Sequence, residues 1–234
     1  MYTVRELRNY RTWEELSQDE KSRLIWNSSL SSVVNYDIQE SMEALFCRKL
    51  DEYHLPTIDI ERHWCLNNCQ GDGCSISGQV RMTPSLIDLV APTDLLADKM
   101  SGISKIKRLL MSGYVDLVYE IRKKDPHYSH RYTMNVDVLD SDVPEALADA
   151  EEKLGEYLLE YARNLCVEVE REGYTVIEEI ESEKYLSDLC KNNGVLFDEN
   201  GEEYWNLQTA IWEDKEKFSD VTMTLPSGEL VEPI

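Results

Sequence analysis

The chain has 234 residues, 42% of them hydrophobic and 30% charged, with 46 acidic against 24 basic side chains and a formal net charge of −22. That apolar share can bury a core, which excludes wholesale disorder; the charge repels nucleic acid and anionic membrane and favours basic partners. No run approaches the roughly eighteen apolar residues of a membrane span, and Met1–Glu6 lacks the apolar stretch of a signal peptide, so the expectation is a soluble, unexported chain.

Thr12-Trp13-Glu14-Glu15 and Ser17-Gln18-Asp19-Glu20 both read as capping boxes, in which hydroxyl and carboxylate satisfy each other's unpaired amides. They predict a short helix through Leu24, Ile25 and Trp26, a break over Asn27–Ser32, and a second helix with Ile38, Met42, Leu45, Phe46 and Leu50 on one face, ended by Pro56. From Thr57 the period becomes two. Ile58, Ile60, Trp64 and Leu66 alternate with Asp59, Glu61, His63 and Cys65, and after a glycine loop Ile76, Gly78, Val80 and Met82 alternate with Ser75, Ser77, Gln79 and Arg81. This predicts a hairpin connected by Asn67–Cys74.

Pro84 opens a helical region that runs to Gly113, a natural αL stop. A second hairpin follows, with Val115, Leu117, Tyr119 and Ile121 on one strand, a turn at Lys124-Asp125-Pro126, and Tyr128, His130, Tyr132, Met134, Val136 and Val138 as the returning face. Asp140–Glu145 caps a long helix whose stripe is Leu147, Leu154, Leu158, Tyr161, Leu165 and Val169, with Gly173 ending or bending it. A shorter helix starts at Ser182, and Asn200-Gly201 marks a tight turn between short strands. The sum is an α+β fold: an antiparallel sheet of two hairpins with helices packed on one face and an acidic helical C-terminal part. The expected division is a single domain over 1–205 and an acidic appendage over 206–234.

The charge is concentrated. From Asp140 onward there are 26 acidic and 7 basic residues, a net of −19, which leaves −3 for the rest. Glu152, Glu156 and Glu160, with Glu151 beside them, fall on one face of the long helix at a spacing of four. Such a row is either a solvated face opposite the apolar stripe or a surface that occupies a basic nucleic-acid groove in place of DNA.

Gly71-Asp72-Gly73 permits a nest for an anion, although Asp72 opposes a phosphate; its other reading is a hairpin connection whose glycines meet backbone needs while Asp72 bonds loop amides. Cys65, Cys69 and Cys74 with His127 and His130 are near misses of zinc-site spacing. The six cysteines of an unexported chain are otherwise expected as reduced thiols. Asp72 with His127 or His130 has the chemistry of a general-base pair, without an evident nucleophile beside it.

Several pieces together resemble a known family. They are Gln70-Gly71-Asp72-Gly73, Ile76-Ser77-Gly78, His127-Tyr128-Ser129-His130, the helix around Tyr157–Glu172 and Phe197-Asp198-Glu199-Asn200-Gly201. In this order they resemble a family of acidic phage and prophage proteins with a Gln-Gly-Asp-Gly loop, which often carries the label antitoxin of a toxin–antitoxin stability system. The likeness runs from about Arg5 to Tyr204, with Cys69 where Ser is usual and Cys74 where Ala is usual. It implies a mobile-element protein of the bacterial cytoplasm that binds a host or defence component, and it implies no catalytic mechanism.

The resulting expectation is a non-enzymatic inhibitor or interaction protein with no cofactor, metal or direct contact with nucleic acid or membrane. It binds a basic surface of a host nucleic-acid-handling or anti-phage defence protein, with DNA mimicry as one mode, through Glu151, Glu152, Glu156, Glu160, Gln70 and Asp72. The alternatives are an antitoxin-like binder of a basic toxin and a metal- or histidine-dependent hydrolase using Asp72, His127 and His130. Oligomeric state is open.

Overall fold

A computed structural model describes residues 8–27, 29–66, 72–125, 127–198, 200, 203–205, 221–224 and 230–231. In chain order its elements are β1 (Arg8–Tyr10), α1 (Gln18–Asn27), α2 (Ser29–Glu52), β2 (Ile60–Cys65), β3 (Gly73–Arg81), α3 (Pro84–Val90), α4 (Thr93–Ala97), α5 (Gly102–Met111), β4 (Leu117–Lys123), β5 (Met134–Ser141), α6 (Ala148–Ile180), α7 (Glu183–Asn192), β6 (Leu196–Phe197), β7 (Glu203–Tyr204), β8 (Val221–Thr224) and β9 (Leu230–Val231). None of the described helices is long and apolar enough to cross a membrane. The fold is α+β, as the alternation of periods predicts.

Backbone contacts divide the chain into two compact units, Met1–Glu40 with Val176–Ile234, and Ser41–Thr175. The sequence places its boundary at 205/206; the contacts place theirs at 40/41 and 175/176, within α2 and α6. Periodicity cannot reveal such a boundary, because a helix pattern runs through it unbroken.

In the unit Ser41–Thr175 the four strands order as β2-β3-β4-β5, all antiparallel, which is the pair of hairpins read from the sequence. Alternation gives the sheet two unlike faces. One carries Ile76, Val80, Tyr119 and Ile121, all buried, and receives the helices. Arg62 on this face bonds the Cys47 thiol of α2 and pairs with Glu43, and the Tyr119 hydroxyl donates to the Glu151 carbonyl of α6. The other face carries Glu61, His63, Ser77, Gln79, Glu120 and Arg122.

Three expectations change here. Ile58 lies before β2 and is 93% exposed, since the strand starts only at Ile60. The returning strand begins at Met134 rather than Tyr128: His130 caps a 3-10 turn, Arg131–Thr133, by accepting from the Tyr132 amide, and that local bond interrupts the extended chain. Gly173 does not end α6, which runs on to Ile180; a side chain at this position would meet Leu66 and Met42.

In the other unit both capping boxes form. The Glu15 carboxylate accepts from the Thr12 amide at 2.7 Å, and Glu20 accepts from the Ser17 amide at 2.8 Å. The expected break over Asn27–Ser32 narrows to the junction between α1 and α2, because the Glu203 carboxylate accepts from the Leu30 amide at 2.9 Å and so caps α2 from outside. Trp13, fully buried, packs on Phe197. Asn200 lies in the connection between β6 and β7; Gly201, the other half of the expected tight turn, lies outside the described residues. The expected appendage over 206–234 lies largely outside the described residues; within it β8 pairs parallel with β1 and antiparallel with β9.

Candidate functional site

The glycine loop leaves β2 and re-enters at β3. Gln70, Gly71 and Cys69 lie outside the described residues. Asp72 accepts from the Tyr174 hydroxyl of α6 at 3.0 Å, and the Cys65 thiol lies 3.8 Å from its other oxygen. Gly73 sits against His130: a β-carbon there would come within 2.9 Å of the imidazole. The sheet therefore brings the loop up to His130, as the sequence suggests. The His130 ring is engaged, accepting from the Tyr132 amide through Nδ1 and lying 4.9 Å from the Tyr132 ring. His127 is exposed.

Strand alternation separates the thiols. Cys65 opposes Gly73 and Cys74 opposes Trp64, so Cys74 points to the helix-bearing face, fully buried, and Cys65 points to the opposite one. Burial pushes the Cys74 thiol well above the ordinary cysteine value. Among the described residues no cluster of three or more histidine, cysteine or acidic side chains is arranged to hold a metal.

The open face of the sheet holds a groove of about 750 Å³ lined by Glu61, His63, Ser77, Gln79, Glu120 and Arg122 among others. His63 Nε2 lies 2.9 Å from the Ser77 hydroxyl, and that hydroxyl donates to Glu61 at 3.3 Å. Burial, followed by the nearby Lys123 charge, lowers the His63 pKa and so favours the neutral imidazole. The trio has the residue types of a hydrolytic triad without its geometry. A triad needs the acid on Nδ1 to orient the ring for a nucleophile at Nε2, whereas Glu61 approaches Nε2, at 3.8 Å, the same nitrogen that Ser77 occupies. Arg122 is held by Glu120 and, at 3.3 Å, by Asp137. These contacts form a closed polar lattice across the strands.

The acidic row on α6 divides by role. Glu151 is half-buried and accepts from the Ser141 hydroxyl, fastening the start of α6 to the end of β5. Glu152, Glu156 and Glu160 are exposed, as is Asp149 one turn earlier. Glu160 has only a loose contact with Arg163, at 3.7 Å. Beyond it the exposed positions are Asn164, Val167, Arg171 and Thr175, so the acidic run breaks after the first part of the helix and exposed acids return only at Glu178 and Glu179 near its end. On the same side of α6 as Glu152, Arg163 donates to the Met134 carbonyl at 3.3 Å and Glu170 pairs with Arg131 at 2.6 Å. Glu152 and Glu156 thus lie on the side of the helix turned toward β5. On β5 Asp137 and Asp140, which the register turns to the open face of the sheet, and in the segment after it Asp142 and Glu145, are also exposed.

A family model described as Domain of unknown function (DUF8835) matches residues 37–179, more than half of the chain. The chain belongs to this family. The DUF8835 segment contains the whole unit Ser41–Thr175, and with it the glycine loop, the open face, β5 and the exposed acids of α6. It leaves out α1, α7 and the hairpin β6–β7. No curated protein and no solved structure matches the chain.

Sequence reasoning missed His63, Ser77 and Tyr174. The first two share a phase on adjacent strands, a signal legible once the hairpin register is assigned; Tyr174 lies 102 residues from Asp72 and carries no local signal.

Proposed function

We propose that this DUF8835 protein is a non-enzymatic interaction protein that binds a basic surface of a partner protein through the acids exposed on the first part of α6 and on β5. The observation that carries the reading is that Glu152 and Glu156 on α6 and Asp137 and Asp140 on β5 stand exposed, while Glu168, Glu170 and Glu172 further along the same helix are engaged in ion pairs. The resemblance to acidic phage proteins supports a host nucleic-acid-handling or defence protein as that partner.

Spacing bears on the mode. Carboxylates four residues apart on a helix are separated by about 6 Å along its axis, against one phosphate charge per about 1.7 Å of duplex DNA. The row is roughly threefold sparser than DNA, which favours pairing with separate lysine and arginine side chains over imitation of a phosphate backbone.

Charge reversal tests this reading. Partner captured from bacterial lysate at low salt is expected to be released as salt rises, since exposed pairs are screened. It is expected to be lost at least tenfold by Glu152→Lys/Glu156→Lys/Glu160→Lys and retained by Glu181→Lys/Asp188→Lys, which alters exposed acids elsewhere. Equal retention by both variants removes the reading, and competition by duplex DNA for the captured partner restores mimicry as the mode.

A further inference from the structure

The strand β5 forms one edge of the sheet β2-β3-β4-β5 among the described residues. Its hydrogen-bond phase follows from its two ends. The Lys124 amide donates to the Thr133 carbonyl at 2.7 Å, and the Asp142 amide donates to the Asp116 carbonyl at 3.0 Å. Alternation along an antiparallel ladder then turns the N–H and C=O groups of Asn135 and Asp137 toward β4 and those of Val136 and Val138 outward. A register shift opposite Val118 and Tyr119 leaves Leu139 as an extra residue and closes this phase at Val138.

The outward carbonyl of Met134 is taken by Arg163, so the open stretch is Val136–Leu139. Val138 and Leu139 are 44% and 43% exposed. An open edge of this kind is a template for another strand unless something blocks it.

The charge around this stretch is one-sided. Asp137 is partly neutralised by Arg122, but Asp140, Asp142 and Glu145 follow it and are exposed. The Ser141–Glu151 bond sets the start of α6 at that end of the strand, which brings Glu152 and Glu156 alongside. The basic side chains Arg131 and Arg163 lie at the opposite, Met134 end.

We propose that the β5 edge is a docking strand for a short, extended, lysine- or arginine-bearing segment of a partner protein. The segment pairs its backbone with Val136 and Val138 and sets its basic side chains against Asp140, Asp142, Glu152 and Glu156. This rests on the acidic-face reading above and adds how the partner's backbone is held. Main-chain bonds hold the added strand and the flanking side chains select it. Two outward residues supply only a few backbone bonds, so charge and pairing act together.

The test uses the full chain and a nine-residue peptide of alternating lysine and valine, together with a twin of the same sequence N-methylated throughout. The unmodified peptide is expected to bind at least tenfold tighter than the twin and to slow amide exchange at Val136 and Val138. Val138→Pro is expected to reduce its binding to the level of the twin. Equal binding of the two peptides, binding of neither, or exchange unchanged at both valines overturns the proposal. The peptide comparison is made on the unaltered protein, so it decides the matter even where Val138→Pro fails to fold. If Glu152→Lys/Glu156→Lys abolishes binding of both peptides equally, the edge is wrong and the acidic face stands. If that variant leaves the preference and the affinity untouched, the acidic face is wrong and the edge stands.

Discussion

The Tyr174 hydroxyl donates to Asp72 Oδ2 over 3.0 Å and ties the end of the glycine loop to the long helix α6. Replacing it by Tyr174→Phe removes one hydrogen bond to a charged acceptor while keeping the ring. The expected cost is about 1–2 kcal/mol in urea unfolding, with faster amide exchange at Asp72 and Gly73. Unchanged exchange at both residues would show that the bond does not hold the loop.

Lys49 is the most deeply placed cation described, its side chain 7% exposed and its amine 2.8 Å from Glu168, 2.8 Å from Glu172 and 3.0 Å from Glu52. Its hydrogen bonds to Glu168 and then Glu172 hold the amine above its ordinary value, and the same contacts hold both carboxyls below theirs. Lys49→Ala is expected to cost about 3 kcal/mol by leaving the carboxylates unpaired and by removing the packed aliphatic stem. Lys49→Met, which keeps the aliphatic stem, is expected to cost about half as much, since Glu168 and Glu172 still reach water. Thermal melts of the two variants read the difference; equal losses would mean that packing contributes nothing.

Acid exposes a second ion pair. Hydrogen bonds from Arg11, then from the Ser17 amide and hydroxyl, hold the Glu20 carboxyl at about 2, against 4.5 ordinarily. Its folded value lies below its unfolded one, so its contribution is present above pH 4.5 and is lost as pH falls from there through 2. At 26% side-chain exposure the pair is partly screened. Glu20→Gln is expected to cost about 1 kcal/mol at pH 7 and to flatten the dependence of Tm on pH between 4.5 and 2. A variant with the same slope as the unaltered protein would locate the acid sensitivity elsewhere.

Two glycines separate backbone from side-chain crowding. At Gly78, with φ of +143°, an added β-carbon runs into the Asp59 carbonyl just before the neighbouring strand β2. At Gly173 it meets the ends of Leu66 and Met42 at 2.7 and 2.9 Å. Gly78→Ala is expected to cost about 3 kcal/mol or more because backbone must move. Gly173→Ala is expected to cost about 1 kcal/mol, overpacking being offset by the better helix propensity of alanine. Chemical denaturation gives the order, and a reversed order would mean that the β2–β3 ladder yields more readily than the packing of Leu66 and Met42.

The sequence by itself determined the hairpins, the long helix and the caps, because each depends on neighbours within a few residues. Capping boxes at Thr12 and Ser17, the period-two runs of β2 and β3 and the Ser182 helix start are local choices. It also determined which acids of α6 oppose the apolar stripe, since a period of 3.6 fixes a face.

Only the tertiary structure decided which of those acids are engaged. Glu151 is drawn to Ser141, and Glu168 and Glu172 to Lys49, while Glu152 and Glu156 remain exposed; the distinction rests on partners 10 to 123 residues away. Tertiary structure likewise set the unit boundaries inside two continuous helices. It also left β5 at the edge of its sheet. For the Trp64–Gly78 stretch, alternation in the sequence assigned Cys65 to a strand and left Cys74 in the connection; the register, which puts Cys74 on β3 and turns the two thiols to opposite faces, depends on how β2 and β3 pair. The physical reason is common to all of these. Local backbone preference acts over one or two turns, whereas ion pairing and strand order depend on which segments meet when the core closes.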